Sequence, residues 1–274
     1  MEKTIMTKAA LARSLGVSRS SLYYESRLDK KDWLTKIGME EELREHPSYG
    51  SRRLADALRI GREQAQRVMR KFGIKPYRRR GRKWGKKKPI SVKYPNLLLG
   101  VMPRSPNHIW ASDFTELKWQ RKKIYIATVL DLYTRRIVGV SVGMRKGTPL
   151  VMAALWNALL HHPRPEIFHS DNRREYDSKA FIAVLEKIGT LISRSHPGCP
   201  WENGYQESFY DKFKVDFADP NRFESLGKLV AEIYLALWVY NHTRIHSALR
   251  MPPAVFAEQI AALKNGKFLP LNPV

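Results

Sequence analysis

The chain has 274 residues, 43% of them apolar, and 49 Lys and Arg against 26 Asp and Glu, so it has material for a sizeable core and a formal charge of +23. The charge excess points to a polyanion such as nucleic acid, while the length and apolar content argue against a disordered basic tail. A lone Cys199 excludes an internal disulfide and a cysteine-based zinc ribbon, and the longest apolar run, around Leu150 to Leu160, is too short for a bilayer; with no signal-peptide pattern, a cytoplasmic protein without membrane contact is expected.

Residues 7–24 read as helix, tight turn, helix. Ala10, Leu11 and Leu15 form an apolar stripe, Gly16 breaks it, and Ser18 is placed to cap a second helix before Leu22. In a helix-turn-helix over residues 1–28 that second helix enters the major groove with Arg19, Ser20, Ser21 and Tyr23 outward. A second helix-turn-helix-like module is expected over 29–74, with helices at 33–46, 51–58 and 62–72 punctuated by PSYG, Gly61 and Gly73. On its last helix Val68 and Phe72 face inward, while Arg62, Arg67, Arg70 and Lys71 form a basic face for DNA. For both modules the plain alternative is a packed or solvated helix surface. Residues 75–103 read as a basic linker, in which Arg78, Arg79, Arg80, Arg82, Lys83, Lys86, Lys87 and Lys88 repel one another until a phosphate backbone screens them, with Tyr77 and Trp84 free to stack.

Beyond Pro103 the pattern turns to β. HIWASDFTEL, KKIYIATVLDL and RRIVGVSVG read as an antiparallel meander. After them come a helix at 148–161, a strand at 166–170, a helix at 178–188, a strand at 190–194 and helices from Asn203 onward. The expected fold class is therefore α/β, a mixed sheet flanked by helices in RNase H-like order over residues 104–262, preceded by all-α modules and succeeded by a tail at 263–274.

Three acids stand out on this frame: Asp113 within the first strand, Asp171 just after the fourth, and Glu207 on a helix packed across the sheet. Asn203, Glu207, Asp211 and Lys214 share one face of that helix, whereas Phe209, Phe213 and Phe217 belong to the core; Lys214 is then placed to meet a phosphate. Two carboxylates about 4 Å apart repel by ~4 kcal/mol at an effective dielectric near 20, and three such pairs approach a whole domain's stability of roughly 5–15 kcal/mol. Such a cluster stays open, protonates, or takes a divalent cation. Mg²⁺ or Mn²⁺ suits its hard oxygens, and two ions serve in-line displacement at phosphorus without a catalytic histidine. Asp131 is a weaker candidate, better suited to holding its turn or pairing with Arg135 or Arg136. His242 and His246 have the spacing of zinc ligands but lack the intervening Glu of the zinc-protease motif.

WASDFTEL, HSD with Asn172 and a later EY, PWENGYQESF with Lys214 beyond it, and YNHTRIHSALRMPP together resemble the transposases of bacterial insertion sequences, specifically the second-frame product of the insertion sequence three family. The resemblance runs from HPSYGSRRL to Pro253. It implies an RNase H-like core of the retroviral-integrase superfamily, Asp113, Asp171 and Glu207 as catalytic and metal-binding triad, and Mg²⁺ or Mn²⁺, two ions per site. It further implies DNA ends and target as substrates, 3′-hydroxyl attack in strand transfer, and a homo-oligomer on DNA. Asn203, Arg244 and His246 match family-typical positions for structural support or DNA contact. Many relatives are fused to an upstream helix-turn-helix and zipper, so an upstream-frame partner is expected. This chain departs from the family at Arg173, where glycine usually follows Asp171-Asn172. A positive φ required there would be strained by a side chain and leave a DNA-binding regulator without turnover; otherwise Arg173 is free to bind the substrate backbone. An RNase H-type nuclease shares the acids but has no need of two helix-turn-helix units.

Overall fold

The computed structural model describes residues 7–23, 27–77, 93–196 and 198–264. Its first helix, α1 (Lys8–Ser14), is capped by Thr7 and ends at Gly16, which takes a positive φ of 65°. Ser18 caps the next segment, its Oγ accepting from Ser21 N at 3.3 Å, but Arg19–Tyr23 is a 3-10 turn and not the expected recognition helix. Nor does the apolar stripe find a core, since Leu11 is 39% and Leu15 59% exposed. Seven and five residues make too few turns to bury an apolar face between them.

The second module does form. Helices α2 (Arg27–Glu45), α3 (Ser51–Ala57) and α4 (Arg62–Lys71) close on Met39, Tyr49, Leu54, Ala65 and Val68, all buried, with Phe72 packed beside them. Ile245, from far along the chain, joins this cluster. The residues expected to form the basic stretch, Arg78, Arg79, Arg80, Arg82, Lys83, Lys86, Lys87 and Lys88, lie outside the described residues. Chain entry into the sheet-containing half starts before the expected boundary at 103: Leu97, Leu98 and Val101 pack on its core, and Leu97 N donates to Ser193 Oγ at 2.9 Å.

Strands β1 (Ile109–Trp119), β2 (Lys122–Asp131), β3 (Ile137–Gly143), β4 (Ile167–Ser170) and β5 (Leu191–Arg194) form one sheet in the order β3-β2-β1-β4-β5. The first three are an antiparallel meander; β4 and β5 add in parallel beside β1, reached through the crossover helices α5 (Thr148–His161) and α6 (Lys179–Lys187). This is the RNase H arrangement. Alternation along β1 divides two cores. Trp110 and Phe114 face α5 and α6, whereas Ile109, Ala111, Leu117 and Trp119 face α7 (Gly204–Phe217) and α8 (Leu226–His242). Phe209, Phe213 and Phe217 fill that second core as their four-residue spacing anticipates, together with Ile233, Leu237 and Tyr240. A final helix, α9 (Pro253–Lys264), lies against α8, and no helix among the described residues is long and apolar enough to cross a membrane.

Candidate active site

Asp113 has the parity of Ala111 and so points to the α7 side, the side from which Glu207 comes. The strand beneath it is fastened to α7 by three side chains at helical spacing. Gln206 Nε2 donates to Ala111 O at 2.6 Å, Asn203 Nδ2 to Ser112 O at 3.5 Å, and Tyr210 Oη to Asp113 O at 2.7 Å. All three residues are buried, and Tyr210 also lies 2.8 Å from Thr128 Oγ1, across the β1–β2 register. Gln206 and Tyr210 are site residues that motif spacing does not single out. Their signal in the sequence is a glutamine and a tyrosine hydroxyl on the apolar side of an amphipathic helix, where a buried polar group demands a partner.

Asp171 comes directly after β4, and its loop is clamped from β5. The buried Arg194 donates through Nη1 to Ser170 Oγ at 2.7 Å and through Nη2 to Tyr176 O at 2.8 Å, while Asn172 Nδ2 bonds Ser195 O. Arg173 does not take a positive φ, so this loop does not need glycine at that position. Its backbone N donates to Asp171 Oδ1 at 3.1 Å. Its side chain turns back on the acids: Nε lies 2.9 Å from Asp171 Oδ2 and Nη1 3.2 Å from Asp113 Oδ1, with Phe114 O a third partner at 3.1 Å. One guanidinium thus bridges both aspartates. Burial pushes the Asp113 carboxyl up to about 7, against the downward pull of Arg173; Asp171 and Glu207 act in the same direction as burial. Asp171 is raised by burial and again opposed by Arg173.

Glu207 stands apart. It is exposed in the first turn of α7, raised by burial and by Asp211, and no set of three acids or histidines among the described residues is gathered tightly enough to hold an ion. The structure therefore brings Asp113 and Asp171 together and leaves Glu207 at the rim. Hard carboxylate oxygens already facing a shared cation, together with the buried and unpartnered Oδ1 of Asn203, whose Nδ2 reaches Ser112 O on the strand of Asp113, fit a divalent metal better than a soft or nitrogen-liganded one.

The neighbouring acids have other work. Glu202 accepts from His196 N at 2.6 Å and Asn96 Nδ2 at 2.8 Å, fixing the segment before α7. Asp131 holds its turn by accepting from Tyr133 N at 2.8 Å and Thr134 N at 2.9 Å, and from Asn107 N at 2.5 Å. His242 and His246 do not form a pair: the first is 2.9 Å from Trp238 O, and the second is 3.3 Å from Ala248 N in a turn of its own.

Beside the aspartates opens a groove of about 1730 Å³, walled by Phe114, Lys118, Lys146, Arg173, Arg174 and Lys214 among others. A smaller cleft of about 460 Å³ between the helical module and the core shares Tyr77 and Val215 with it and adds Arg52, Arg62 and Lys212. Of the cations expected on DNA, Arg62 and Arg70 are exposed, and so are Arg19, Ser20 and Tyr23 of the 3-10 turn. Arg67 and Lys71 are engaged by α2: Arg67 reaches Asp32 at 2.7 Å, and Lys71 bonds Asp29 and Asp32. Arg244, expected on DNA, is instead an interior residue. Only 4% exposed, its guanidinium meets Asp216 at 2.7 Å and Ser48 at 2.9 Å, the structural support that is the other expectation for this residue. The sequence shows the arginine but not Asp216, which is supplied by another helix.

The family description "Integrase core domain" matches residues 103–200, and a second family of that description matches residues 188–253. The transposase for insertion sequence element IS904 of Lactococcus lactis is 30% identical, covering 65% of this chain and 69% of that protein. Transposase InsF for insertion sequence IS3A of Escherichia coli K12 is 30% identical over 87% of this chain and 89% of its own length. Among solved structures, the HTLV-2 integrase catalytic core domain in complex with magnesium is 20% identical, covers 56% of this chain and 97% of that one, and superposes with a TM-score of 0.43.

Proposed function

Because this chain belongs to the insertion-sequence transposases with an integrase core, polynucleotidyl transferases acting on DNA, we propose that Asp113, Asp171 and Glu207 are its catalytic triad. The observation that carries this reading is the pairing of Asp113 and Asp171 around one cation at the head of a basic groove. Asp113 and Asp171 are the permanent ligands, each fixed by backbone bonding of its own segment, and Glu207 completes the set by turning its side chain inward from α7. When bound there, two divalent ions, Mg²⁺ or Mn²⁺, would supply activation of the attacking oxygen and stabilisation of the leaving one. The protein's own residues hold and orient. Lys118, Lys146, Arg174 and Lys214 neutralise the phosphates that flank the reacting one, and α7, tied to β1 through Asn203, Gln206 and Tyr210, sets the distance between Glu207 and Asp113.

The reaction proposed is cleavage at element ends to expose a 3′-hydroxyl, and then attack of that hydroxyl on a target phosphodiester. The cleft between module and core extends the DNA path from the acids towards Arg62, with the basic stretch at 78–88 as a further contact, and a homo-oligomer holds paired ends, with or without an upstream-frame helix-turn-helix partner. The organisation proposed is a helical module over 29–74 and an integrase core over 104–262.

The test incubates purified protein with labelled element-end DNA and Mg²⁺ or Mn²⁺, beside Glu207→Gln and Asp113→Asn. Strand-transfer products should fall in both variants by at least on the order of 100- to 1000-fold, with DNA binding retained. Tight binding without nicking in the wild type, with either metal, overturns the reading in favour of a DNA-binding regulator.

A further inference from the structure

Arg173 occupies the place between Asp113 and Asp171 where a shared cation belongs. Its Nη1 donates to Asp113 Oδ1 at 3.2 Å, and its Nε lies in ion-pair range of Asp171 Oδ2 at 2.9 Å, so one guanidinium faces both carboxylates. A divalent ion bound by both acids competes for the same two carboxylates and is repelled by the positive charge already between them. Guanidinium and metal are therefore alternatives.

The guanidinium is also reachable from the groove. Its side chain is 45% exposed, its cationic carbon rests 4.5 Å from the centre of the Phe114 ring, and its remaining partner is the neutral Phe114 carbonyl. Removing the side chain leaves the loop's own bond, from Arg173 N to Asp171 Oδ1, in place. On its open side lies the groove with Lys118, Lys146, Arg174 and Lys214 in its walls. A phosphodiester drawn in by those cations presents oxygens to a side chain whose planar fork matches phosphate as well as carboxylate.

We propose that Arg173 is the resident counter-cation of the Asp113–Asp171 pair and that a DNA phosphate draws it away, so that divalent metal loads once DNA is in place. The inference rests on these two aspartates being the metal ligands. It makes the resting enzyme reluctant to bind metal and gives this chain a DNA-dependent step before chemistry.

The test measures Mn²⁺ binding to the full chain by calorimetry and electron paramagnetic resonance, without DNA and with a short duplex lacking element ends, the binding of Mn²⁺ to duplex alone being subtracted. If the pair is free of guanidinium in about one molecule in ten, Arg173→Gly and Arg173→Gln bind Mn²⁺ about tenfold tighter than wild type without DNA. Duplex then tightens Mn²⁺ binding to wild type by a similar factor and leaves the variants little changed. Thermal melts in chelator, with Mn²⁺ added back, verify that both variants fold. Unchanged or weaker Mn²⁺ binding in the folded variants overturns the proposal, as does a duplex effect of equal size in wild type and variants. Placing Asp171→Asn in the Arg173→Gly background separates the two layers. Loss of Mn²⁺ binding there upholds the aspartates as ligands whatever Arg173 does; retention removes them as ligands and the proposal with them.

Discussion

Arg194 carries a positive charge in a place that water does not reach, and the loop of Asp171 depends on it. Its two donors satisfy Ser170 Oγ and the Tyr176 carbonyl, neither of which is solvent-exposed enough to find water instead. Arg194→Met keeps much of the volume and orphans both acceptors, so it should cost about 2–3 kcal/mol in urea unfolding and lower strand-transfer activity more than DNA binding. Equal stability of the variant would show that the loop holds itself. At this level the sequence is partly legible. Asp113 and Asp171 announce themselves because an acid inside or just beyond an apolar strand is hard to explain structurally, whereas Arg194, Gln206 and Tyr210 act through partners remote in sequence. Glu207 is separable from Glu202 and Asp211 by helical phase alone; the structure adds that Glu202 is committed to His196 and Asn96.

The meander and its crossovers are readable nearly to the residue, because period-two alternation and β-branched runs are local properties. The first helix-turn-helix is not, because a pattern of Ala10, Leu11 and Leu15 predicts a buried face only if something exists to bury it. Packing between elements shows most clearly at Gly139 on β3, where an added Cβ meets Ala154 O of α5 at 2.3 Å and the Ala158 methyl at 2.7 Å. Backbone and a short methyl leave no flexible group to give way. Gly139→Ala should therefore push α5 off the sheet and destabilise the core by about 1–3 kcal/mol, read from the urea midpoint. The same change at Gly50, which has nothing within 4 Å, is the control and should cost far less.

The helical module and the core are joined by polar contacts between distant parts of the chain. Arg244 meets Asp216 and Ser48, Tyr49 Oη accepts from Ile245 N at 2.8 Å, Arg53 reaches Ser247 at 3.4 Å, and Arg250 bonds Asp56. This seam explains why HPSYG and YNHTRIHSALR are both distinctive: each is the other's surface. Asp216→Asn leaves the buried Arg244 without its countercharge and should cost about 3–5 kcal/mol, with proteolysis accelerated between module and core. Histidines make the seam acid-sensitive. Burial, with Arg135, Arg53 and Arg244 around it, depresses His246 to about 4, and His46 is lowered by burial. A depressed histidine is neutral in the fold and charged when unfolded below about 6.5, so stability is present at neutral pH and is lost as pH falls from there towards 4. Between pH 7 and 5 His246 alone should account for about 1–2 kcal/mol, and His246→Gln should flatten the dependence by that amount. A variant with the wild-type pH profile would place the sensitivity elsewhere.

The seam has a consequence for how the protein is made. Ser48 and Tyr49 leave the ribosome long before Arg244 and Ile245, which complete their seat 196 residues further on. Contacts between segments so far apart form late, since their loop must be closed before they repay its entropy. On a growing chain α2–α4 have their own small core and are therefore displayed before the catalytic sheet is finished. The module therefore need not wait for the sheet that follows it, whereas the seam that seats it on the core must.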